Sequence, residues 1–228
     1  MAKFYIIVGP SGVGKSELQK KVITDLSLEH IVRSVSATTR KPRDDEKHGT
    51  DYFFYDENTF FQMVENREFL EYKKYSEDHY GTPKKFTDEN LAKGNDVIGV
   101  IEVKGAHAIM NHYSKHHKRD TIVSIFIYPE NFKDLVLHLE NRDIKSDYTK
   151  EQIELVKEKI KKRMTIAMEE IETINDYDHR ICMKHNHFDE AYGQLHSIIM
   201  AERAREPLDT KYKTKFVQNW REFCKTYK

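Results

Sequence analysis

The sequence predicts an α/β protein of three layers, in which a central parallel sheet carries helices on both faces and a small mixed α+β unit is inserted. Three observations predict it. Short runs rich in Val or Ile recur along the chain, as strands buried on both faces do. Segments of helical periodicity separate them, the alternation that builds parallel sheets. The interval 34–93 breaks that rhythm with Tyr- and Phe-rich extended pieces.

Each element follows in order. A first strand is expected at Phe4–Val8, leading through a glycine-rich turn into a helix over Lys15–Leu26. Within the inserted unit, "TDYFFY" and "EFLEYKKY" read as extended, and Asp56–Glu65 as a short helix. The alternation resumes with a strand at Asp96–Ile101, a helix at Val103–His112, a strand at Thr121–Tyr128 and a helix at Asn131–Asn141. A long helical pattern over Glu151–Ile174, a strand at Arg180–Met183 and a helix at Asp189–Ala204 complete it. Beyond the linker-like "AREPLDTKYKTK", Phe216, Trp220 and Phe223 fall on one helical stripe beside Val217. Two uses of that stripe are open, packing back on the domain or contact with a second copy or another partner.

Composition bounds the function. A chain of 228 residues suits one domain with a small subdomain. Its 38 basic residues balance 38 acidic ones, so no global field calls for nucleic acid or a membrane surface, and neither is expected as a partner. The apolar run Phe4–Val8 is short for a signal peptide, and no run has the length of a bilayer span. Cys182 and Cys224 offer no disulfide framework and no metal-ligand spacing, so a reducing, cytoplasmic setting is expected. His112 and His116 in "HYSKHH" have helical spacing but no carboxylate or cysteine beside them, and read as a surface helix end.

"GPSGVGKS" satisfies the pattern G-x-x-x-x-G-K-[ST] of a phosphate-binding loop. The loop comprises Gly9, Pro10, Ser11, Gly12, Val13, Gly14, Lys15 and Ser16. Its glycines permit backbone angles and close approaches that a Cβ forbids, so that N–H groups surround a phosphate at the positive end of a helix. Lys15 is the cation for the β- and γ-phosphates, and the Ser16 hydroxyl is the metal ligand for Mg²⁺. A nucleoside triphosphate is therefore the expected ligand. Farther on, Arg40 and Arg43 flank a proline. They read either as a phosphate-holding pair, with hydroxyls from Tyr52 and Tyr80, or as a solvated basic turn.

From Ile6 to about Arg203 the chain resembles the guanylate kinases. The resemblance is carried by "GPSGVGKS", "SVSATTRKPR", "GTDYFF", "EFLEY", "YGTPK", "VIEVKGA" and "FDEAY", in this order. It implies transfer of the γ-phosphoryl group of ATP to GMP, and to dGMP, by a monomer or homodimer that uses Mg²⁺. It further implies a core of residues 1–33 and 94–204, an acceptor-binding insertion at 34–93 and a helical lid at about 142–163; a helical extension at 205–228 is expected beyond it from the tail stripe. Arg40, Arg43, Tyr52 and Tyr80 match positions that hold the acceptor phosphate. Ser36, Glu71, Thr82 and Glu102 match those that read guanine. Arg142 and Arg163 match catalytic arginines that act with Lys15. The base chemistry agrees, because guanine presents N1–H and an amine side by side to a carboxylate such as Glu71. Adenine turns a lone pair toward it, a mismatch able to discriminate by about 10⁴.

The pattern is departed from in three places. Val100 stands where the family has an aspartate, with Glu102 two residues on along the same side. His138 replaces an arginine, and "KHNHFDEAY" leaves His185 or Asn186 to contact the donor base. The segment from Arg142 to Arg163 is longer than the family's lid. Val100 and His138 keep a second class in view, a kinase-like scaffold module that binds a phosphorylated peptide. Lys15 and Ser16 favour the enzyme, and Ser36, Glu71 and Thr82 favour GMP over other monophosphate acceptors.

Overall fold

The computed structural model describes residues 1–75, 77–205 and 218–220. Five strands form a wholly parallel sheet: β1 (Phe4–Val8), β2 (Ile31–Arg33), β7 (Asp96–Val100), β8 (Ile122–Pro129) and β9 (His179–Met183), in the spatial order β2-β7-β1-β8-β9. Strand β1 lies at the centre and is completely buried, which is why its sequence is apolar without alternation. Its side chains nevertheless divide by parity. Tyr5 and Ile7 pack on α1 (Lys15–Thr24), α5 (Phe132–Asp143), α6 (Lys150–Glu172) and α7 (Phe188–Ala204) through Leu18, Leu139, Ile160 and Leu195. Phe4, Ile6 and Val8 pack on α4 (Val103–Lys115) through Ala106, Ile109 and Met110. The three layers follow from that division.

A second sheet of four strands, in the order β4-β3-β6-β5, is made of β3 (Ala37–Thr38), β4 (Phe53–Phe54), β5 (Phe69–Tyr75) and β6 (Asp78–Pro83). Strands β5 and β6 form an antiparallel hairpin whose register sets Glu71 opposite Thr82 and Lys73 opposite Tyr80. Helix α2 (Glu57–Glu65) is capped by the Asp56 carboxylate, which accepts from the Thr59 N–H at 2.9 Å. It docks through Phe60, fully buried and stacked on Phe69 with ring centroids 4.7 Å apart.

Strands β2, β3 and β6 and helix α3 (Lys84–Ala92) are additional to the elements expected from sequence. Of these, β2 is three residues long and α3 buries only Thr87 among its residues, so β2 and α3 have no strong apolar period to show. Helix α4 runs on to Lys115, which places His112 in its last turn and His116 as its C-cap. Helix α6 opens with a capping box, Thr149 and Gln152 bonding each other's backbone N–H. Of the C-terminal stripe, Trp220 is described and exposed, whereas Phe216 and Phe223 lie outside the described residues, as does most of 205–228. Among the described residues no helix is long and apolar enough to cross a membrane.

Candidate active site

The sharp turn after β1 brings its backbone against β8. Gly9 has φ +137°, and a Cβ there would lie 2.0 Å from the carbonyl oxygen of Ile127. Only glycine fits. Helix α1 then starts at Lys15 from a left-handed Gly14 N-cap with no side-chain capping bond, so its first-turn N–H groups are available to an anion. The Lys15 ammonium folds back over the loop, donating to the Gly9 carbonyl at 2.6 Å and the Pro10 carbonyl at 2.7 Å. Burial lowers its pKa to about 8, against the opposing pull of Glu170, Glu102 and Glu17.

The loop forms one wall of a cleft of about 710 Å³ between the two sheets. Val100 and Glu102 lie at its floor, where β7 passes into α4. Ser36, Tyr52, Glu71, Lys73 and Tyr80 reach it from the smaller sheet and its connections. His138 and Arg142 come from α5, and Arg163 and Glu170 from α6. The cleft thus sets the carboxylates of Glu17, Glu71, Glu102 and Glu170 against the cations of Lys15, Lys73, Arg142 and Arg163.

On the far wall, Glu71 is held rigidly. The buried Thr82 hydroxyl donates to its carboxylate at 2.7 Å. Burial raises its pKa above the ordinary carboxylate range, with the Thr82 bond and the Lys73 charge opposing. The carboxylate rests on the first turn of α4, where a Cβ on Gly105 would come within 3.0 Å of Glu71 Oε2. Lys73 is ion-paired to Glu102. Behind this wall the Arg40 guanidinium lies over the Tyr52 ring, 5.5 Å from its centroid, and donates to both carboxylate oxygens of Glu46 at 2.8 and 2.9 Å. The same Glu46 accepts from the Arg43 backbone N–H at 2.9 Å, closing the turn that carries both arginines.

On the helical wall, Asp143 binds two cations at once. It accepts from Arg142 Nε and from Arg163 Nη1, both at 2.7 Å, which ties the end of α5 to the middle of α6. The Arg142 bond leads in holding the Asp143 carboxyl below its usual range. A second pocket of about 290 Å³ shares Gly12, Gly14, Glu17 and His138 with the cleft and extends past the loop to His185 and Asn186.

Most residues singled out from sequence therefore converge. Gly9, Ser11, Gly12, Gly14, Lys15, Ser16, Ser36, Tyr52, Glu71, Tyr80, Glu102, Arg142 and Arg163 all line the one cleft. The others stand one layer back. Pro10 offers its carbonyl to Lys15, Val13 is buried toward the second pocket, and Thr82 supports Glu71. Arg40 and Arg43 do not line the cleft; Arg40 stacks behind Tyr52. Sequence reasoning missed Glu46, Lys73, Gly105, Asp143 and Glu170. Two of these had a signal, since Lys73 is two residues from Glu71 on a strand and Glu170 is seven from Arg163 on a helix, each on the same face.

The family model described as guanylate kinase matches residues 1–202. The chain belongs to the guanylate kinase family. A guanylate kinase of Rickettsia bellii is 37% identical over 203 residues, covering 88% of this chain and 94% of that one. One of Mesoplasma florum is 32% identical, covering 96% of this chain and 72% of its own length. The crystal structure of guanylate kinase from Anaplasma phagocytophilum superposes with a TM-score of 0.62 at 28% identity, over 90% of this chain and 87% of that one. Membership makes the protein a nucleotide-binding phosphotransferase, with the phosphate-binding loop of the guanylate kinase fold at one wall of its cleft.

Proposed function

We propose that the protein transfers the γ-phosphoryl group of ATP to GMP, and to dGMP, giving ADP and GDP or dGDP in purine nucleotide metabolism of the cytoplasm. One observation carries the reading: the phosphate-binding loop with Lys15 and the Thr82-braced carboxylate of Glu71 open onto the same cleft. ATP lies with its phosphates on Gly9–Ser16 and its base toward His185 and Asn186 in the adjoining pocket. GMP lies opposite, its base on Ser36, Glu71 and Glu102, its phosphate toward Tyr52, Tyr80, Arg40 and Arg43.

Catalysis is alignment and charge neutralisation, since phosphoryl transfer asks for little covalent chemistry from protein groups. Lys15 leaves the Gly9 and Pro10 carbonyls for the transferring phosphoryl group. Arg142 and Arg163, joined by Asp143, bring two cations to it from the helical wall. Arg40 exchanges Glu46 for the acceptor phosphate, whose denser charge competes for the same guanidinium fork. The Ser16 hydroxyl on the cleft wall fits Mg²⁺, a cation that takes one or two protein oxygens beside substrate phosphates and water. When bound, Mg²⁺ neutralises phosphate charge.

The test is ADP release from ATP and Mg²⁺ with GMP, dGMP, IMP, AMP, CMP and UMP offered in turn, with Lys15→Ala as the control. Turnover restricted to guanine acceptors is expected, with IMP weaker. AMP turning over as well as GMP overturns the assignment of Glu71. GMP binding without turnover of any acceptor overturns the reading in favour of the scaffold class.

A further inference from the structure

The acceptor wall of the cleft poses an electrostatic problem. It places two carboxylates, Glu71 and Glu102, in a space meant for an anion. Each raises the energy of the other's charge and of any incoming phosphate. Among the described residues, Lys73 is the one cation lining the cleft from the smaller sheet, since Arg40 stacks on Tyr52 and neither Arg40 nor Arg43 lines it. Its position is set by register. Strand β5 turns Glu71 and Lys73 to the cleft while Tyr72 between them faces solvent, 52% exposed. Across the hairpin Glu71 faces Thr82 and Lys73 faces Tyr80. One rung thus carries the carboxylate assigned to the base, and the next carries a tyrosine assigned to the phosphate. Lys73 bridges the two by pairing with Glu102 at the start of α4.

We propose that Lys73 is a positioning residue for acceptor specificity: its ion pair aims the Glu102 carboxylate at the exocyclic amine of the acceptor base and offsets the second negative charge beside Glu71. The inference rests on the acceptor reading above. Glu102 needs such a brace. Its side chain is 58% exposed and makes no capping bond to α4, whereas Glu71 is already fixed by Thr82. An exposed carboxylate with free rotamers loses conformational freedom when it binds a base, and a pre-formed ion pair removes part of that cost.

The amine gives a readout that simple loss of structure does not share. IMP keeps the N1–H of GMP and lacks the amine. With Lys73→Met, KM for GMP is expected to rise about fivefold, while kcat and KM for ATP change by less than about twofold, in keeping with a half-exposed ion pair. The preference for GMP over IMP in kcat/KM falls by a similar factor. Glu102→Gln lowers the same preference, and the double variant lowers it no further, because the two residues act as one unit. Lys73→Arg restores most of it. Lys73→Gln repeats the measurement should the methionine variant unfold, and melting temperatures establish that each variant is folded. A GMP:IMP ratio unchanged in Lys73→Met or Lys73→Gln, or a loss additive with that of Glu102→Gln, overturns the inference. Failure of the unaltered enzyme to use GMP would defeat the acceptor reading instead, so the two failures are told apart.

Discussion

Two facing walls of the cleft are built in opposite ways. The loop wall is one continuous segment, Gly9–Ser16, working through backbone groups and a helix start. The facing wall is assembled from residues spread between Ser36 and Gly105, held together by strand pairing and side-chain bonds. Both engage their cations, but with different partners. Lys15 rests on two backbone carbonyls, so one side-chain rotation releases it. Arg40 and Lys73 rest on the carboxylates of Glu46 and Glu102, so the acceptor side is tied by ion pairs. The contrast teaches that a local motif is enough to grip phosphates, which every nucleotide has. Telling one base from another needs carboxylates fixed by the tertiary fold.

Variants at each wall break or sharpen this contrast. The largest effect is expected for Lys15→Ala, a loss of about 100- to 1000-fold in kcat, as for removal of one pre-organised donor at a developing charge. GMP binding, measured by calorimetry, should survive, because the acceptor wall does not use the lysine. Glu71→Gln reverses the pattern. It should raise KM for GMP about 10- to 100-fold, the worth of a hydrogen bond to a charged group, with KM for ATP little changed.

The pH profile separates the walls again. The Lys15 pKa of about 8 lies below the ordinary lysine value of 10.5, so the free enzyme loses that cation as pH rises. In kcat/KM for ATP, an alkaline limb should appear near pH 8 and fall about tenfold per pH unit beyond it. Folding stability runs the other way. The unfolded chain binds the extra proton between about pH 8 and 10.5, so this group makes the fold more stable as pH climbs through that window. Glu71, with its value raised by burial, should instead place an acid limb in kcat/KM for GMP at a pH above the ordinary carboxylate range.

The smallest effect is expected at the Asp143 tie between α5 and α6. Asp143→Ala frees two arginines from a common tether, which should lower kcat about fivefold through lost alignment while both KM values hold. Asp143→Glu should recover part of it. A variant with unchanged kcat would show that the helical wall needs no tie.

What could be read from the sequence follows the same contrast. The loop and the strands β1, β7 and β8 are contiguous and strongly patterned, so residues and boundaries emerged together, to within a residue or two for the strands. Glu71, Tyr52 and Tyr80 were found through the order of several short motifs, and their convergence in one cleft depends on a hairpin register that no single motif states. Glu46 was passed over because "RDDEK" offers three neighbouring carboxylates and nothing local says which one folds back on Arg40. Asp143 was hidden by helix geometry, since its partner Arg163 is 20 residues away across the α5–α6 connection. Gly105 read as part of a family string, and only the packing of Glu71 on α4 shows why a Cβ is excluded there.

The central claim is that a donor cradle and an acceptor cradle share one cleft. A bisubstrate compound, adenosine and guanosine joined through a chain of phosphates, tests it most directly by calorimetric titration and competition. The account predicts one equivalent bound per chain, competitive against both ATP and GMP, with affinity beyond that of either nucleotide alone. Two equivalents per chain, or competition against only one of the two substrates, would contradict it.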